Sequence, residues 1–248
     1  MSRAPDFNRL ARLYRWMEWL SFGPWLALTR FTFLNRLTGC QRALVLGDGD
    51  GRFTARLLGV NEAVVVDAID ASAAMLRALE CRAGREAGRV QTRLADVREW
   101  KAAEWQPETR QSDAAYDLIA THFFLDCLTT AEVAALAARL RDVVAPDALW
   151  VVSEFAVPDG WRGALIARPV VGSLYVAFGW LTGLTVRALP DHASALGAAG
   201  FHLVARRARL GGLLVSELWC AGDGGLPQRI APARAIAFEN ASGGIFWE

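Results

Sequence analysis

The chain has 248 residues, which is enough for one substantial domain with an attached cap. Its composition, 53% hydrophobic and 21% charged, excludes an intrinsically disordered protein. The net charge of +1 argues against a nucleic-acid partner held by bulk positive charge. The four cysteines form no CxxC pair and only three histidines occur, so we predict no metal site. Free thiols and an N-terminus without an uninterrupted apolar run predict a cytoplasmic protein.

The first half of the chain predicts a helical cap followed by alternating strands and helices. Apolar residues recur at helical spacing over residues 6–37, so residues 1–38 are predicted to form an N-terminal helical cap. Residues 43–46 are an apolar run next to a glycine, which is typical of a buried parallel strand. A helix at 52–58 follows. The alternation continues with a strand at 63–69, a helix at 72–87 and a strand at 90–94.

The second half continues this alternation. A loop at 105–114 leads to a strand at 116–120, and Thr129 with Glu132 forms the capping box of a helix that Pro146 should stop near residue 144. A strand at 148–155, a helix at 191–199 and strands at 201–210 and 213–220 complete the pattern, the last two joined by a tight two-glycine hairpin. The order predicts an α/β fold, a Rossmann-like, doubly wound, mainly parallel seven-stranded sheet with a C-terminal antiparallel hairpin and helical caps. Residues 39–222 would form this domain and residues 223–248 a C-terminal tail.

An apolar insert interrupts the alternation at residues 159–188. Within it, residues 169–186 carry no charge over 18 positions, which reaches the lower limit for a membrane span. The strands that follow must return to the same sheet, so a single crossing would leave them on the wrong side. We therefore predict an apolar cap over a substrate pocket, with peripheral membrane contact or a homodimer interface as alternatives.

The most informative segment is LVLGDGDG at 44–51, a strand followed by the alternating glycines Gly47, Gly49 and Gly51. Glycines there allow a sharp turn and a close approach of the backbone to a ligand. Asp70 ends the second strand, where a carboxylate can accept hydrogen bonds from both hydroxyls of a ribose. Asp96 follows the third strand and can accept from an adenine amino group. An ordinary strand-to-helix turn and helix N-caps at the two acids are the structural alternatives.

The spacing of the loop selects among nucleotide ligands. A dinucleotide fingerprint would require a third glycine at position 52, where Arg52 stands. Asp48 and Asp50 sit poorly against a pyrophosphate and suit a ligand with cationic groups. S-adenosylmethionine (SAM), with a sulfonium, an ammonium and no phosphate, fits this pattern.

Over residues 40–220 the sequence resembles the class I SAM-dependent methyltransferases. The motifs that carry the resemblance are ALVLGDGDG, AIDASAAML, LADV at 94–97 and YDLIATHFFLD at 116–126. It implies SAM as the cofactor and methyl transfer as the reaction. The implied cofactor contacts are Gly47, Asp48, Gly49, Gly51, Asp70, Ala71, Met75, Asp96, Val97 and Thr121. The chain departs from the family at Val45, where an acid often orders the glycine loop, a role left to Asp48 or Asp50.

The N-terminal segment is also similar to quinone-type and other small-molecule methyltransferases, which adds Tyr14 as an implied cofactor contact. For catalysis, His122 near the end of the fourth strand is a candidate general base, and Asp126 would orient it or act itself. Local hydrogen bonding by both is the alternative. The two apolar caps favour a small hydrophobic acceptor, methylated at oxygen or carbon. A catalytically silent SAM-binding partner that docks through its apolar cap, and a nucleotide-dependent oxidoreductase, are the competing hypotheses.

Overall fold

The computed structural model describes residues 23–99, 115–158, 160–161, 163–173, 175, 186 and 188–222, and two short strands near the C-terminus. The predictions for Tyr14, for most of the cap at 1–38, for the loop at 105–114 and for most of the tail at 223–248 fall outside these residues. About two thirds of the uncharged segment 169–186 also lies outside them, so that segment is described only at 169–173, 175 and 186.

The described elements alternate along the chain as the sequence predicts. The helices are α1 (Trp25–Arg30), α2 (Arg52–Val60), α3 (Ala73–Ala83), α4 (Thr130–Arg141) and α5 (His192–Ala198). The strands are β1 (Arg42–Leu46), β2 (Val65–Asp70), β3 (Val90–Leu94), β4 (Tyr116–His122), β5 (Val144–Phe155), β6 (His202–Arg209), β7 (Leu214–Cys220), β8 (Phe238–Glu239) and β9 (Ile245–Phe246).

Seven strands form one sheet in the order β3-β2-β1-β4-β5-β7-β6. The five strands from β3 to β5 are parallel, whereas β7 is antiparallel to both of its neighbours. The chain turns outward from β1 to β2 and β3, and then returns to place β4 on the other side of β1. Ligands of open α/β sheets bind at the carboxyl ends of the strands beside such a reversal. The predicted fold is confirmed, and the edge near the ends of β1 and β4 is where a site is expected.

Both faces of the parallel sheet are covered, which explains why its strands are apolar throughout. Successive side chains of β1 point to opposite faces. Leu44 and Leu46 join the core cluster with α4 and α5, and Ala43 and Val45 join the cluster with α2 and α3. All four of these side chains are at most 1% exposed.

Several predicted boundaries differ from the structure: among them, the helix predicted at 72–87 ends at Ala83, and the strand predicted at 148–155 begins at Val144. The helix α4 already ends at Arg141, and Pro146 lies at the start of β5, where a register shift interrupts the pairing with β4. Proline is tolerated there because no ladder hydrogen bond is lost. The fourth strand extends to His122 rather than ending at residue 120. The hairpin connection includes a 3-10 turn, Leu210–Gly212, and is longer than the predicted two glycines.

A third apolar cluster lies at the carboxyl edge of the sheet. Ala167 and Val171, from the start of the apolar insert, pack there with Phe123 and Phe155 from the ends of β4 and β5. Leu26 of α1 belongs to the same cluster. Among the helices that the structure describes, none has both the length and the apolar character that a bilayer crossing requires. The described part of the insert therefore packs against the edge where the site is expected.

Candidate active site

The glycine loop after β1 depends on three residues in the left-handed region, Gly47 (φ +65°), Gly49 (φ +59°) and Gly51 (φ +79°). A Cβ on Gly47 would lie 2.1 Å from Cδ2 of Phe124, and one on Gly51 would lie 2.6 Å from Cγ of Leu79. Among the residues that the structure describes, nothing lies within 4 Å of a Cβ placed on Gly49. Two of the glycines therefore allow tight packing of the loop, and the third presents its backbone to open space.

Asp48 orders this loop from within. Its carboxylate accepts hydrogen bonds from the backbone N–H groups of Phe53 (3.2 Å) and Thr54 (2.8 Å), in the first turn of α2. The side chain is buried, and this burial raises its pKa, although Arg30 and the two N–H donors act in the opposite direction. This arrangement supplies the order that an acid at Val45 would have provided. The carboxylate of Asp48 is turned toward the helix, so only its backbone remains as a cofactor contact.

Asp50 also forms ion pairs within the protein. Asp50 forms ion pairs with Arg52 (3.2 Å) and with Arg82 of α3 (2.7 Å). The Nε of Arg82 also donates to the backbone oxygen of Asp50 at 2.8 Å. These contacts fix the loop against α3 and neutralise the charge of Asp50.

Asp70 ends β2 beside the glycine loop, and Asp96 follows the end of the adjacent strand β3. The carboxylate of Asp70 accepts hydrogen bonds from the backbone N–H groups of Ser72, at 2.8 Å, and of Gly49. Burial raises the pKa of Asp70 to about 6. Asp96 accepts from the backbone N–H of Arg98 at 2.9 Å. The contact between Asp70 and Gly49 joins the predicted ribose acid to the predicted cofactor loop.

The remaining cofactor candidates differ in exposure. Ala71 is exposed next to Asp70, whereas Met75 and Val97 are buried. Thr121 is fully buried, and its hydroxyl accepts a hydrogen bond from Nε1 of Trp150 at 3.0 Å. The side chain of Thr121 is therefore part of the core, which leaves its backbone as the part that can face a ligand.

His122 lies inside the protein rather than at the sheet edge. Its Nδ1 is 3.0 Å from the Oγ of Ser153, and its ring packs on Phe53 with 4.2 Å between centroids. Its Nε2 is buried and has no hydrogen-bond partner among the described residues. Burial, together with the positive charge of Arg30, lowers the pKa of His122 well below its usual value. The imidazole therefore stays neutral between α2 and the sheet, which suits a structural contact better than an exchange of protons with an acceptor.

Asp126 lies in a short 3-10 turn, Leu125–Cys127, directly after β4. The turn begins with Phe123 at a φ of +53°, a strained conformation for a bulky residue and one that is common at functional sites. Burial raises the pKa of Asp126 to about 6. The hydroxyl of Tyr175, from the apolar insert, donates to the backbone oxygen of Asp126 at 3.0 Å.

Glu154, near the end of β5, holds this turn in place. Its Oε1 accepts from the backbone N–H groups of Phe124 (3.0 Å) and Leu125 (2.8 Å), and the N–H of Asp126 also bonds to its carboxyl. Glu154 is 1% exposed, and its Oε2 is buried with no hydrogen-bond partner in the part of the chain that the structure describes. Burial and the nearby charge of Asp126 raise the pKa of Glu154 well above its usual value. The two buried acids therefore influence each other's protonation, and burial raises the pKa of both.

Two residues of this region were not identified from the sequence. Glu154 is an acid within the apolar strand VVSEF, and a carboxylate in a strand predicted to be buried could have indicated a functional role. Arg30 is 6% exposed, and its guanidinium lies 5.7 Å from the ring centroid of Phe123. Its charge acts on both Asp48 and His122. No local pattern distinguishes Arg30 from the other arginines of this arginine-rich chain.

Comparisons with solved structures match this architecture. A candidate O-methyltransferase from Nostoc punctiforme superposes with a TM-score of 0.64 at 16% identity, over 89% of this chain and 63% of that chain. Human N-acetylserotonin methyltransferase, solved with SAM, gives 0.59 at 16% identity, over 87% and 59%. Mitomycin 7-O-methyltransferase gives 0.56 at 15% identity, over 86% and 59%. The chain thus spans less than two thirds of the length of these proteins. No curated protein matches it in sequence.

The fold and the loop geometry define a Rossmann-like methyltransferase domain. Residues 43–147 match a family model described as a methyltransferase domain. Over these residues the chain therefore has the methyltransferase domain that its motifs predict, and its fold is that of the solved methyltransferases. This domain agrees with the predicted methyltransferase class and with SAM as the predicted cofactor.

Proposed function

We propose that the chain transfers the methyl group of SAM to a hydroxyl oxygen of a small, apolar acceptor, with Asp126 as the general base. The observation that carries this proposal is the pair formed by Asp126 and Glu154 at the carboxyl edge of the sheet. The carboxyl group of Glu154 accepts backbone N–H groups at the turn that carries Asp126, and Phe124, beside this turn, contacts Gly47 of the glycine loop.

The residues of the edge fit the cofactor. SAM supplies a methyl carbon activated by its sulfonium, so the protein mainly has to bind, orient and exclude water. Gly49 leaves room for the amino-acid end of SAM. Asp70 is a partly buried carboxylate with a raised pKa, and two ribose hydroxyls would provide the donors that compensate for its burial. Asp96 would accept from the adenine amino group, beside Ala71, Met75 and Val97.

We assign the base to Asp126 rather than to His122. The pKa of Asp126, about 6, leaves the carboxylate ionised at neutral pH and basic enough to accept a proton as a hydroxyl attacks. In that step an oxygen–carbon bond forms as the carbon–sulfur bond breaks, and the hydroxyl proton moves to Asp126. His122 would support the end of β4 through Ser153.

The surroundings of the pair favour an uncharged, apolar acceptor. Phe123, Phe155, Ala167 and Val171 form one apolar cluster, and Tyr175 of the apolar insert packs against it. A buried acid pair repels anions, so carboxylate or phosphate acceptors are disfavoured. These contacts support the predicted role of the insert as a pocket cap. Peripheral membrane contact, a homodimer and the cytoplasmic location remain predictions.

Calorimetric titration with S-adenosylhomocysteine (SAH), followed by turnover assays with labelled SAM and a panel of phenols and apolar alcohols, tests the proposal. The Asp70→Ala variant should bind SAH about 100-fold more weakly, since it loses two hydrogen bonds to a charged acceptor. The matched control is Asp142→Ala, at the end of α4 and away from the glycine loop. Absence of SAH binding by the wild-type chain would refute the proposal. Binding without turnover of any acceptor would instead favour the catalytically silent alternative.

A further inference from the structure

Arg98 connects three parts of the site that are distant in sequence. Its Nη1 lies 3.3 Å from Oδ2 of Asp96, which follows β3. Its Nη2 donates to the backbone oxygen of Cys127 at 3.1 Å, at the end of the turn that carries Asp126. Its Nε lies 3.1 Å from Oε1 of Glu132, in the first turn of α4. One guanidinium therefore spans the adenine side of the site, the turn of the proposed base and the helix behind both.

The backbone around Arg98 is itself held by α4. Arg139 donates from Nη2 to the backbone oxygen of Val97 at 2.9 Å and from Nη1 to that of Arg98 at 3.2 Å. The Arg98 side chain is 29% exposed, and ion pairs at such exposure contribute little to stability. The guanidinium group is nevertheless well suited to fix the distance between two groups, because it is planar and its N–H donors have fixed directions. The geometry therefore indicates that Arg98 positions the groups it contacts and contributes little to the stability of the fold.

We propose that Arg98 is a positioning residue that couples the adenine end of the cofactor site to the turn that carries Asp126. This inference rests on the proposed function. An adenine amino group bound by Asp96 would restrain the carboxylate that Arg98 contacts. Arg98 would then hold the carbonyl of Cys127, so the base would be fixed most firmly when cofactor is present. A lysine would keep the charge but could not bridge these groups with a fork.

Hydrogen exchange measured by mass spectrometry tests this coupling without a known acceptor. The readout is the ratio of exchange rates without and with saturating SAH, for peptides over residues 47–54 and 123–129. A purely structural role of Arg98 would speed exchange in both states and leave the ratio unchanged. In the wild type we expect SAH to slow exchange in both peptides. In Arg98→Met and Arg98→Lys the ratio at 47–54 should persist, and the ratio at 123–129 should fall by about fivefold or more.

The matched control is Arg141→Met. Arg141 also lies on α4 and donates to a backbone oxygen, that of Ala221 at 2.8 Å, on the side of the helix away from the site. This variant should retain both wild-type ratios. Two outcomes would overturn the coupling and leave the proposed function intact. One is that either Arg98 variant keeps the ratio that the wild type shows at 123–129. The other is that SAH slows exchange in the wild type only at 47–54. If SAH slowed exchange in neither wild-type peptide, the proposed function would fail together with the coupling.

Discussion

The ring of Phe124 packs directly on the backbone of Gly47, where an added Cβ would lie 2.1 Å from Cδ2 of the ring. This contact joins the cofactor loop after β1 to the turn after β4. The two strands are neighbours at the reversal of the sheet order, and Leu46 pairs with Thr121 just before the contact. The shape of the glycine loop and the position of Asp126 are therefore linked by packing.

The contact predicts unequal effects of alanine at two glycines of the loop. Both Gly47 and Gly49 have positive φ, but of the two only Gly47 has a neighbour among the described residues that an added Cβ would meet. Gly49→Ala should cost about 1 kcal/mol of unfolding free energy, from backbone strain alone. Gly47→Ala should cost about 3 kcal/mol or more, because the strain is joined by overpacking against Phe124. Urea unfolding of both variants measures the difference, and equal losses would show that Phe124 moves aside without cost.

A second prediction concerns the stability of the chain without cofactor. The folded-state pKa of Asp70, about 6, exceeds the ordinary value of 3.8, so the folded chain binds this proton more tightly than the unfolded chain does. Stability from this group is therefore present below pH 4 and is lost as the pH rises from about 4 to 6. Asp70→Asn should be more stable than the wild type at pH 8, by about 1–3 kcal/mol. Denaturant titrations at pH 8 and near pH 4 measure this difference in stability, which should disappear near pH 4. An Asn variant less stable than the wild type at pH 8 would show that the two N–H bonds to the carboxylate outweigh its burial.

The third prediction separates the two candidate bases. Because Asp126 must be ionised to accept a proton, the rate with any hydroxyl acceptor should rise with pH to a plateau above an apparent pKa of about 6. Asp126→Asn should lower kcat by about 10²–10⁴-fold and leave the affinity for SAH unchanged. His122→Gln should keep the same rise of rate with pH, since its imidazole is neutral throughout this range. Loss of that rise in the His122 variant, with Asp126→Asn still active, would reverse the assignment.

The fourth prediction distinguishes the two functions that Glu154 could have. If it acts as a neutral acceptor of backbone N–H groups, Glu154→Gln should retain kcat within about tenfold, and the pH dependence should not move, because an amide oxygen accepts the same bonds. Glu154→Ala leaves the N–H groups of Phe124 and Leu125 unpaired and should cost about 2–4 kcal/mol of stability, with loss of turnover. The measurements are thermal unfolding and kcat as a function of pH. A shift of the pH dependence in the Gln variant would instead indicate that the charge of Glu154 tunes Asp126.

The sequence by itself determined the cofactor side of the site. The glycine loop, Asp70 and Asp96 each follow a strand directly, and parallel strands present their carboxyl ends at one edge of the sheet. Chain order alone was therefore sufficient to bring them together. The capping box of Thr129 and Glu132 was predictable for the same reason, since all of its contacts lie within one helical turn.

Only the tertiary structure decided the surroundings of His122 and Asp126. The burial of His122 depends on the register of β4, because a shift of one residue would turn its side chain to the other face of the sheet. The role of Glu154 depends on the pairing of β4 with β5, which brings it to backbone groups 28 to 30 positions earlier in the chain. The burial of Arg30 depends on α1 packing over the sheet edge. These contacts join distant segments, so their energies depend on the assembled fold and leave no pattern in the local sequence.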